Sequence, residues 1–265
     1  MSSTIYVLYF LTFFLGAIVG SFLNVCILRL PNEESIVSPS SHCPNCKTPI
    51  PFYDNVPLIS YLFLAGRCRF CSEKISPRYF VVELLMASLS VALLHHLGLG
   101  FAFFVNFVFV AALVVISFVD LDVRIVPDVI SLPGIAVGLL SAIVSWLLSI
   151  DPLLILPSPV SSLLGVVFGG GILLIVAWGY EYFTGIEGMG GGDIKLLAMI
   201  GAFLGWPSIP LALFFASLAG SIVGIAFMVT KGVGGKFALP FAPFLCLGAL
   251  FHLFFARELI TFYLE

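Results

Sequence analysis

The sequence contains few charged residues for its length. Of its 265 residues, 61% are hydrophobic and only 9% are charged, which leaves too little polar surface to cover a soluble globular protein of this size. The net charge is -3, and without an excess of positive charge we expect no nucleic acid as a partner. The composition therefore predicts a chain that is embedded in a lipid bilayer, and it makes no prediction of the oligomeric state.

The apolar residues lack the strict alternation that a membrane β-barrel requires. They fall in long runs, which favour helices that satisfy their own backbone hydrogen bonds. The sixth of these runs is the weakest span, because about 13 residues rise about 20 Å against a hydrocarbon core of about 30 Å, and it could be re-entrant. The pattern predicts an all-α polytopic membrane protein with about eight transmembrane helices, at residues 5–28, 79–97, 101–119, 128–150, 160–182, 194–206, 209–230 and 239–262.

Basic residues are also rare, and their positions predict the orientation of the chain. Such residues collect in the cytoplasmic loops of membrane proteins. With eight spans, ten of the 11 fall on one side of the membrane, and only Arg257 does not. The ten are Arg29, Lys47, Arg67, Arg69, Lys74, Arg78, Arg124, Lys195, Lys231 and Lys236. We therefore expect the polar segment 29–78 to lie in the cytoplasm.

Four of the six cysteines lie in the polar segment 29–78, between the first two spans. They form two C-x2-C pairs that are separated by 21 residues, at Cys43, Cys46, Cys68 and Cys71. This spacing is typical of four thiolates around one tetrahedral Zn²⁺, and a fully occupied ligand set indicates a structural metal. Two disulfides are the alternative, which a reducing cytoplasm disfavours. His42 is a competing metal ligand that the four cysteines make unnecessary.

Acidic residues are scarce in the apolar part of the chain, and four of them lie at the ends of predicted spans. Asp120, Asp122 and Asp128 surround the end of the third span, and Asp193 follows three glycines, 190–192, at the start of the sixth. The eight-span count places Asp120 and Asp193 at the same leaflet, where they could meet. Capping of helix ends explains Asp122 and Asp128 equally well.

A pair of carboxyl groups beside a glycine run suggests hydrolytic chemistry. Glycine allows a substrate strand to approach the backbone closely. Of two adjacent carboxyl groups, one keeps its proton while the other activates water, which is the chemistry of peptide hydrolysis. Paired acids in membranes also serve transport, so a proton- or cation-coupled transporter is the alternative. The lack of an internal repeat weighs against a transporter, and a non-enzymatic scaffold leaves the acids unexplained.

Several motifs together resemble the bacterial type IV prepilin leader peptidases, a group of Gly-x-Gly-Asp membrane aspartic proteases. The resemblance covers nearly the whole chain. It rests on Gly20-Ser21-Phe22-Leu23-Asn24-Val25, Arg29-Leu30-Pro31, the paired cysteines, Asn55-Val56-Pro57-Leu58-Ile59-Ser60-Tyr61-Leu62, Arg78-Tyr79 with Glu83, the stretch 120–128 and Gly188-Met189-Gly190-Gly191-Gly192-Asp193-Ile194-Lys195.

The resemblance implies an intramembrane aspartic endopeptidase with Asp120 and Asp193 as the catalytic pair. Its substrates would be type IV prepilins or pseudopilins, whose short basic leaders it would remove at the cytoplasmic face of the bacterial inner membrane. The residues that we expect to support this catalytic pair within the active site are Gly190, Gly191, Gly192, Asp122, Asp128 and Lys195.

The resemblance also implies N-methylation of the new N-terminus, with S-adenosylmethionine as the methyl donor. The sequence lacks the glycine-rich fingerprint that binds many nucleotide cofactors. The candidate residues for binding this cofactor are Asn24, Arg29 and Glu83. Each has an equally good structural explanation, namely helix packing for Asn24, snorkelling for Arg29 and an interfacial position for Glu83.

The predicted organisation has three parts. These are a first transmembrane helix at 1–28, a cytoplasmic zinc lobe with four cysteine ligands at 29–78, and a transmembrane aspartic peptidase core at 79–265. One departure from the family pattern is Ala242, which stands where the motif Pro-Phe-Gly-Pro has glycine, and we expect it to affect local helix packing alone. Cys246, in the same apolar run, is expected to be an inert core thiol.

Overall fold

A computed structural model describes the backbone of residues 2–149, 156–185, 190–231 and 240–264, and the side chains of all of these except 2–3, 231 and 256–264. In this part of the chain there are nine α-helices, two short 3-10 turns at Leu30–Asn32 and Phe52–Asp54, and no strand. The helices are α1 (Ser2–Arg29), α2 (Ile59–Phe63), α3 (Pro77–Leu97), α4 (Phe101–Val123), α5 (Asp128–Leu148), α6 (Pro159–Thr184), α7 (Gly191–Leu204), α8 (Ser208–Lys231) and α9 (Ala242–Leu264).

All eight predicted spans are helical, but the count of eight membrane-spanning helices is not confirmed. Within the described residues, six helices are long and apolar enough to cross a membrane, namely α1, α3, α4, α5, α6 and α8. The helix α7 has 14 residues, which rise about 21 Å, and every residue from 196 to 203 is buried. The described apolar part of α9, Ala242–Phe255, is also shorter than a span.

Contacts within the chain divide it into two compact units, Met1–Leu99 and Gly100–Glu265. In the first unit, α1 packs along α3. A side chain at Gly20 would place its Cβ 2.7 Å from the Cα of Glu83, so the two helices approach each other backbone to backbone. The three-part division drawn from composition remains a prediction.

Between α1 and α3 of the first unit, the chain forms two matching knuckles that carry the paired cysteines. In each knuckle, the residue before the first cysteine forms an isolated β-bridge with the third residue after the second cysteine, at His42–Pro49 and Arg67–Lys74. The residue directly after the second cysteine has a positive φ, 58° at Lys47 and 57° at Ser72. The two C-x2-C motifs therefore adopt the same local turn.

In the second unit, α7 is surrounded by other helices. It packs against α5, α6, α8 and α9. Gly165 of α6 and Gly201 of α7 meet backbone to backbone, because a Cβ at either residue would collide with the carbonyl oxygen of the other. The rings of Phe109 in α4 and Phe203 in α7 stack with their centroids 4.5 Å apart. These contacts bury α7 and place its first turn beside the end of α4.

Candidate functional site

Asp120 and Asp193 lie at adjoining ends of α4 and α7. Asp120 is one turn from the end of α4 and is only 5% exposed, while Asp193 is the third residue of α7 and is partly buried. The two carboxyl groups are close enough to interact electrostatically. The structure thus brings together the two residues that the sequence predicts as a pair.

The end of α4 is set by the residue that follows it. Arg124 adopts the left-handed conformation at φ 58°, and its N–H donates to the carbonyl oxygen of Asp120 over 2.9 Å. Such a left-handed residue ends a helix by satisfying one of its last carbonyls. Pro127 then precedes α5, which begins at Asp128. Asp120 is therefore held in the last turn of its helix.

Among the glycines of the predicted motif that the structure describes, only Gly192 is in a tight packing contact. A Cβ at Gly192 would lie 2.8 Å from the Cβ of Val126, so the first turn of α7 rests directly on the connection between α4 and α5. A Cβ at Gly190 or Gly191 would meet no described atom within 4 Å. These two glycines therefore leave open space next to Asp193. Gly188 and Met189 of the same motif lie outside the described residues.

The first residue of α9, Ala242, contacts Asp120. Ala242 is not among the site residues predicted from the sequence. The backbone N–H of Ala242 donates to Oδ2 of Asp120 over 3.1 Å. The first N–H groups of a helix have no acceptor within the helix, so this donor is available to a carboxylate. The contact is made by the backbone N–H, which glycine at this position would also provide, so the expectation that alanine in place of glycine affects helix packing alone stays a prediction. The flanking Pro240 and Pro243 were the available signal, since proline marks helix starts.

Cys246 lies one turn further along α9, next to the aspartate pair. Its side chain is 2% exposed and interacts electrostatically with both Asp120 and Asp193. The thiol is buried, as expected, but it forms part of the wall of the candidate site.

The other residues predicted to support the site lie at its edge. The Nζ of Lys195 donates to both carboxylate oxygens of Asp128, over 2.7 and 2.8 Å, and this ion pair connects α7 to α5. Asp122 lies on the exposed side of the last turn of α4. The structure therefore brings Asp128 into contact with Lys195, which follows Asp193 by two residues in α7.

In the first unit, the four predicted cysteine ligands form one cluster. Their sulfur atoms all lie within 4.8 Å of one another, with 3.7 Å between Cys43 and Cys71 and 4.0 Å between Cys46 and Cys68. Four sulfurs bound to one Zn²⁺ at 2.3 Å would be about 3.8 Å apart. All four thiols are free, so the cluster can hold a metal ion. His42 is not part of the cluster, and its Nδ1 lies 3.1 Å from the carbonyl oxygen of Ser40.

An ion pair connects the second knuckle to the loop between the cysteine pairs. The guanidinium of Arg69 donates two hydrogen bonds of 2.6 Å to the carboxylate of Asp54 and lies 5.6 Å from the ring centre of Tyr53. The hydrogen bonds and the positive charge of Arg69 lower the pKa of Asp54. The pair is planar and bidentate, which is the strongest arrangement for these two groups.

The three candidate cofactor residues line one cavity of about 630 Å³ in the first unit. All three also bind neighbouring segments. Asn24 Nδ2 donates to the carbonyl of Tyr79 over 3.1 Å, Arg29 donates to the carbonyls of Ser35 and Pro39 over 2.8 and 2.7 Å, and Glu83 accepts the N–H of Leu58 over 2.8 Å. The Asn24 contact joins α1 to α3, and the contacts of Arg29 and Glu83 attach the polar segment to these two helices. The cavity that they border has the volume of a small-molecule site.

Comparison with known proteins identifies the family. Residues 14–97 match the Bacterial Peptidase A24 N-terminal domain, and residues 107–225 match the Type IV leader peptidase family. A protein of Aeromonas hydrophila called "Prepilin leader peptidase/N-methyltransferase" is 35% identical over an alignment that covers 97% of this chain and 94% of the relative. The chain belongs to the type IV leader peptidase family. Proteins with the same name from Pseudomonas aeruginosa and Dichelobacter nodosus are 34% and 35% identical, over 96% and 89% of this chain and 92% and 88% of theirs. No solved structure matches the chain.

Membership in the type IV leader peptidase family confirms the resemblance that the motifs indicated. Each of the two matched regions falls within one unit of the chain. The first region contains the cysteine cluster, and the second contains the aspartate pair. Of the two functions that paired acids suggest, the family favours the peptidase over the transporter.

Proposed function

We propose that this leader peptidase removes the short basic leader from type IV prepilins or pseudopilins, with Asp120 and Asp193 as its catalytic pair. The observation that carries the proposal is the meeting of two carboxyl groups from α4 and α7, which lie far apart in the chain. Ionisable groups in a membrane protein that are buried together indicate function, because burial is costly for each of them.

The two carboxyl groups can divide the work of peptide hydrolysis. One, ionised, takes a proton from the attacking water, while the other, protonated, donates a hydrogen bond to the scissile carbonyl. The open space beside Gly190 and Gly191 allows the substrate backbone to reach Asp193, because neither residue has a side chain in the way.

The test is cleavage of a prepilin with a short basic leader by the purified protein in detergent. We expect the wild type to cut, and Asp120→Asn and Asp193→Asn to lose at least about 10²- to 10⁴-fold in kcat, the typical contribution of an acid or base. Glu181→Gln, at an exposed acid near the end of α6, serves as the matched control. If either aspartate variant, folded by circular dichroism, cuts at the wild-type rate, the paired mechanism is wrong.

We propose further that the chain lies in the inner membrane of a bacterium with the cysteine lobe and the aspartate pair at the cytoplasmic face. Ten of the 11 basic residues support this orientation. Reporter fusions within the polar segment 30–76 and at the α3–α4 connection, 98–100, test it. Cytoplasmic activity of the first fusion and exported activity of the second are expected, and the reverse result would contradict the orientation.

For the N-methylation named in the relatives, we propose that S-adenosylmethionine binds the cavity of the first unit. This cofactor supplies an electrophilic methyl group when it is bound. The walls offer suitable contacts, since Tyr61 and Phe70 could stack on a purine, Glu73 could accept from ribose hydroxyls, and Lys74 could pair with the amino-acid carboxylate.

Photocrosslinking of labelled S-adenosylmethionine tests this location without an activity assay. After ultraviolet irradiation and proteolysis, we expect the label in peptides from residues 21–83, the range that contains all the residues lining the cavity. An excess of unlabelled S-adenosylmethionine should prevent the labelling. Label that appears only in peptides from the second unit, or no competed label at all, would place the cofactor elsewhere or exclude it.

A further inference from the structure

The hydrogen bond from Ala242 makes the two aspartates unequal. Its N–H donates to Oδ2 of Asp120 over 3.1 Å, and it is the first residue of α9. A hydrogen bond donated to a carboxyl group favours the charged form, and the start of a helix carries partial positive charge. Both effects favour a negative charge on Asp120.

Of the other charged groups and helix ends near the pair, some favour a negative charge on Asp120 and others oppose it. Arg124, the residue directly after α4, carries a positive charge that favours a negative charge on Asp120. Cys246 of α9 is the titratable neighbour of both aspartates. The end of α4 opposes a charge on Asp120, and the start of α7 favours one on Asp193. No described residue donates a hydrogen bond to the carboxyl group of Asp193. Because a direct hydrogen bond to a charged group outweighs a helix end, the balance favours Asp120.

We propose that Ala242 is a positioning residue whose backbone N–H holds Asp120 as the ionised, water-activating member of the pair, and leaves Asp193 as the member that carries the proton. This assignment rests on the proposed peptidase function. With Oδ2 bound to Ala242, the other oxygen of Asp120, Oδ1, is the one that accepts a proton from water.

The proton movements then balance. Water forms a bond to the carbonyl carbon and loses a proton to Asp120, while the proton of Asp193 passes to the carbonyl oxygen. When the carbon–nitrogen bond breaks, Asp120 returns its proton to the leaving amine, and Asp193 regains one from the intermediate as the new carboxyl group forms. Both aspartates end in the states in which they began, so that no other reactant is needed.

The decisive variant removes the N–H donor of Ala242 and keeps its side chain. Replacing Ala242 with lactic acid by nonsense suppression converts its amide to an ester, which keeps the methyl group and deletes the donor. We expect kcat for prepilin cleavage to fall about 10- to 100-fold, the effect of one hydrogen bond to a charged group. KM should stay at its wild-type value, because the substrate contacts are unchanged. The ester also weakens the carbonyl of Phe241 as an acceptor for the N–H groups of Phe244 and Leu245, so the melting temperature should fall no further than in a matched ester at another helix start.

A matched ester variant at another helix start separates positioning from packing. The same ester at Ala102, in the first turn of α4 and 8% exposed, also deletes an N–H at a helix start, and it should leave kcat unchanged.

The outcomes are distinct. A wild-type kcat in the Ala242 ester variant, or a loss that the Ala102 ester shares, would overturn the assignment while the peptidase function stands. A loss of kcat that comes with a larger fall in melting temperature than the Ala102 ester shows would also overturn it, because that result indicates packing alone. Wild-type protein that does not cleave prepilin would refute the proposed function instead.

Discussion

The cysteine lobe and the aspartate site differ in what holds their polar side chains in place. In the lobe, residues 30–76, the chain consists mainly of turns, and Val37, Phe52 and Phe63 are each 86% exposed, so the lobe has no apolar core of its own. At the aspartate site, α4, α7 and α9 place buried side chains against one another.

The length of each segment decides whether bound groups or side-chain packing stabilise it. A segment of this size cannot bury enough apolar surface to fold alone, so we expect a metal bound at the cysteine cluster, together with the ion pair, to order the lobe. The aspartates are surrounded by helices that are long or buried, so close packing of side chains can stabilise this site. We therefore expect the lobe to respond to chelation and pH, and the aspartate site to respond to the addition of single methyl groups.

Loss of the metal should have the largest effect and should be confined to the lobe. Structural Zn²⁺ contributes about 10–16 kcal/mol to folding at sites of this kind, so Cys43→Ser with Cys46→Ser should unfold the lobe. Metal analysis should find one zinc per wild-type chain and none in the variant. Limited proteolysis should then cut within residues 30–76.

Cys26→Ser is the control for this experiment, because Cys26 is buried in α1 and is not part of the cluster. This variant should keep both its zinc and its resistance to protease. A lobe that stays resistant after its metal is removed would show that the two regions are stabilised in the same way.

A methyl group at Gly192 should have the next largest effect. The Cβ of Gly192→Ala would lie 2.8 Å from that of Val126, and overpacking of this kind costs about 1–3 kcal/mol. The matched variant Gly191→Ala adds its methyl group to open space and should fold as well as the wild type. Thermal melting in detergent compares the two, and equal melting temperatures would argue against the tight contact.

The ion pair at the edge of the aspartate site should matter less than packing. The side chains of Lys195 and Asp128 are 38% and 56% exposed, and exposed ion pairs contribute about 0–1 kcal/mol. Lys195→Met should therefore lower the melting temperature only slightly, and the difference should shrink further in high salt. A large loss would mean that charge, and not packing, joins α5 to α7.

The smallest effect is expected for the Asp54–Arg69 pair of the lobe, because half of Arg69 is exposed to solvent. Arg69 lowers the pKa of Asp54, so the stabilisation is present above the ordinary pKa of an aspartate, about 3.9. It is lost as the pH falls through the lower pKa of the folded lobe. Protease resistance of the lobe at neutral pH should be slightly lower in Asp54→Asn than in the wild type, and the two should converge in strong acid. A difference that persists there would exclude the ion pair as its cause.

Much of this architecture could be predicted because its signals are local in the chain. Long apolar runs correspond to helices at all eight expected positions, and the spacing of Cys43, Cys46, Cys68 and Cys71 indicated one cluster. The number of true spans was not predictable in the same way. A run of 14 residues such as α7 has the composition of a span, and its burial depends on the helices around it.

The aspartate pair illustrates the boundary between local and tertiary information. The sequence by itself determined that Asp120 and Asp193 lie at the ends of two helices, since Pro127 and the glycines before Asp193 interrupt the apolar runs. Only the tertiary structure decided which third element completes the site. The N–H of Ala242 and the thiol of Cys246 reach the aspartates because α9 packs against α4 and α7. Helix periodicity describes which face of a helix is apolar, but it contains no information on which distant helix covers that face.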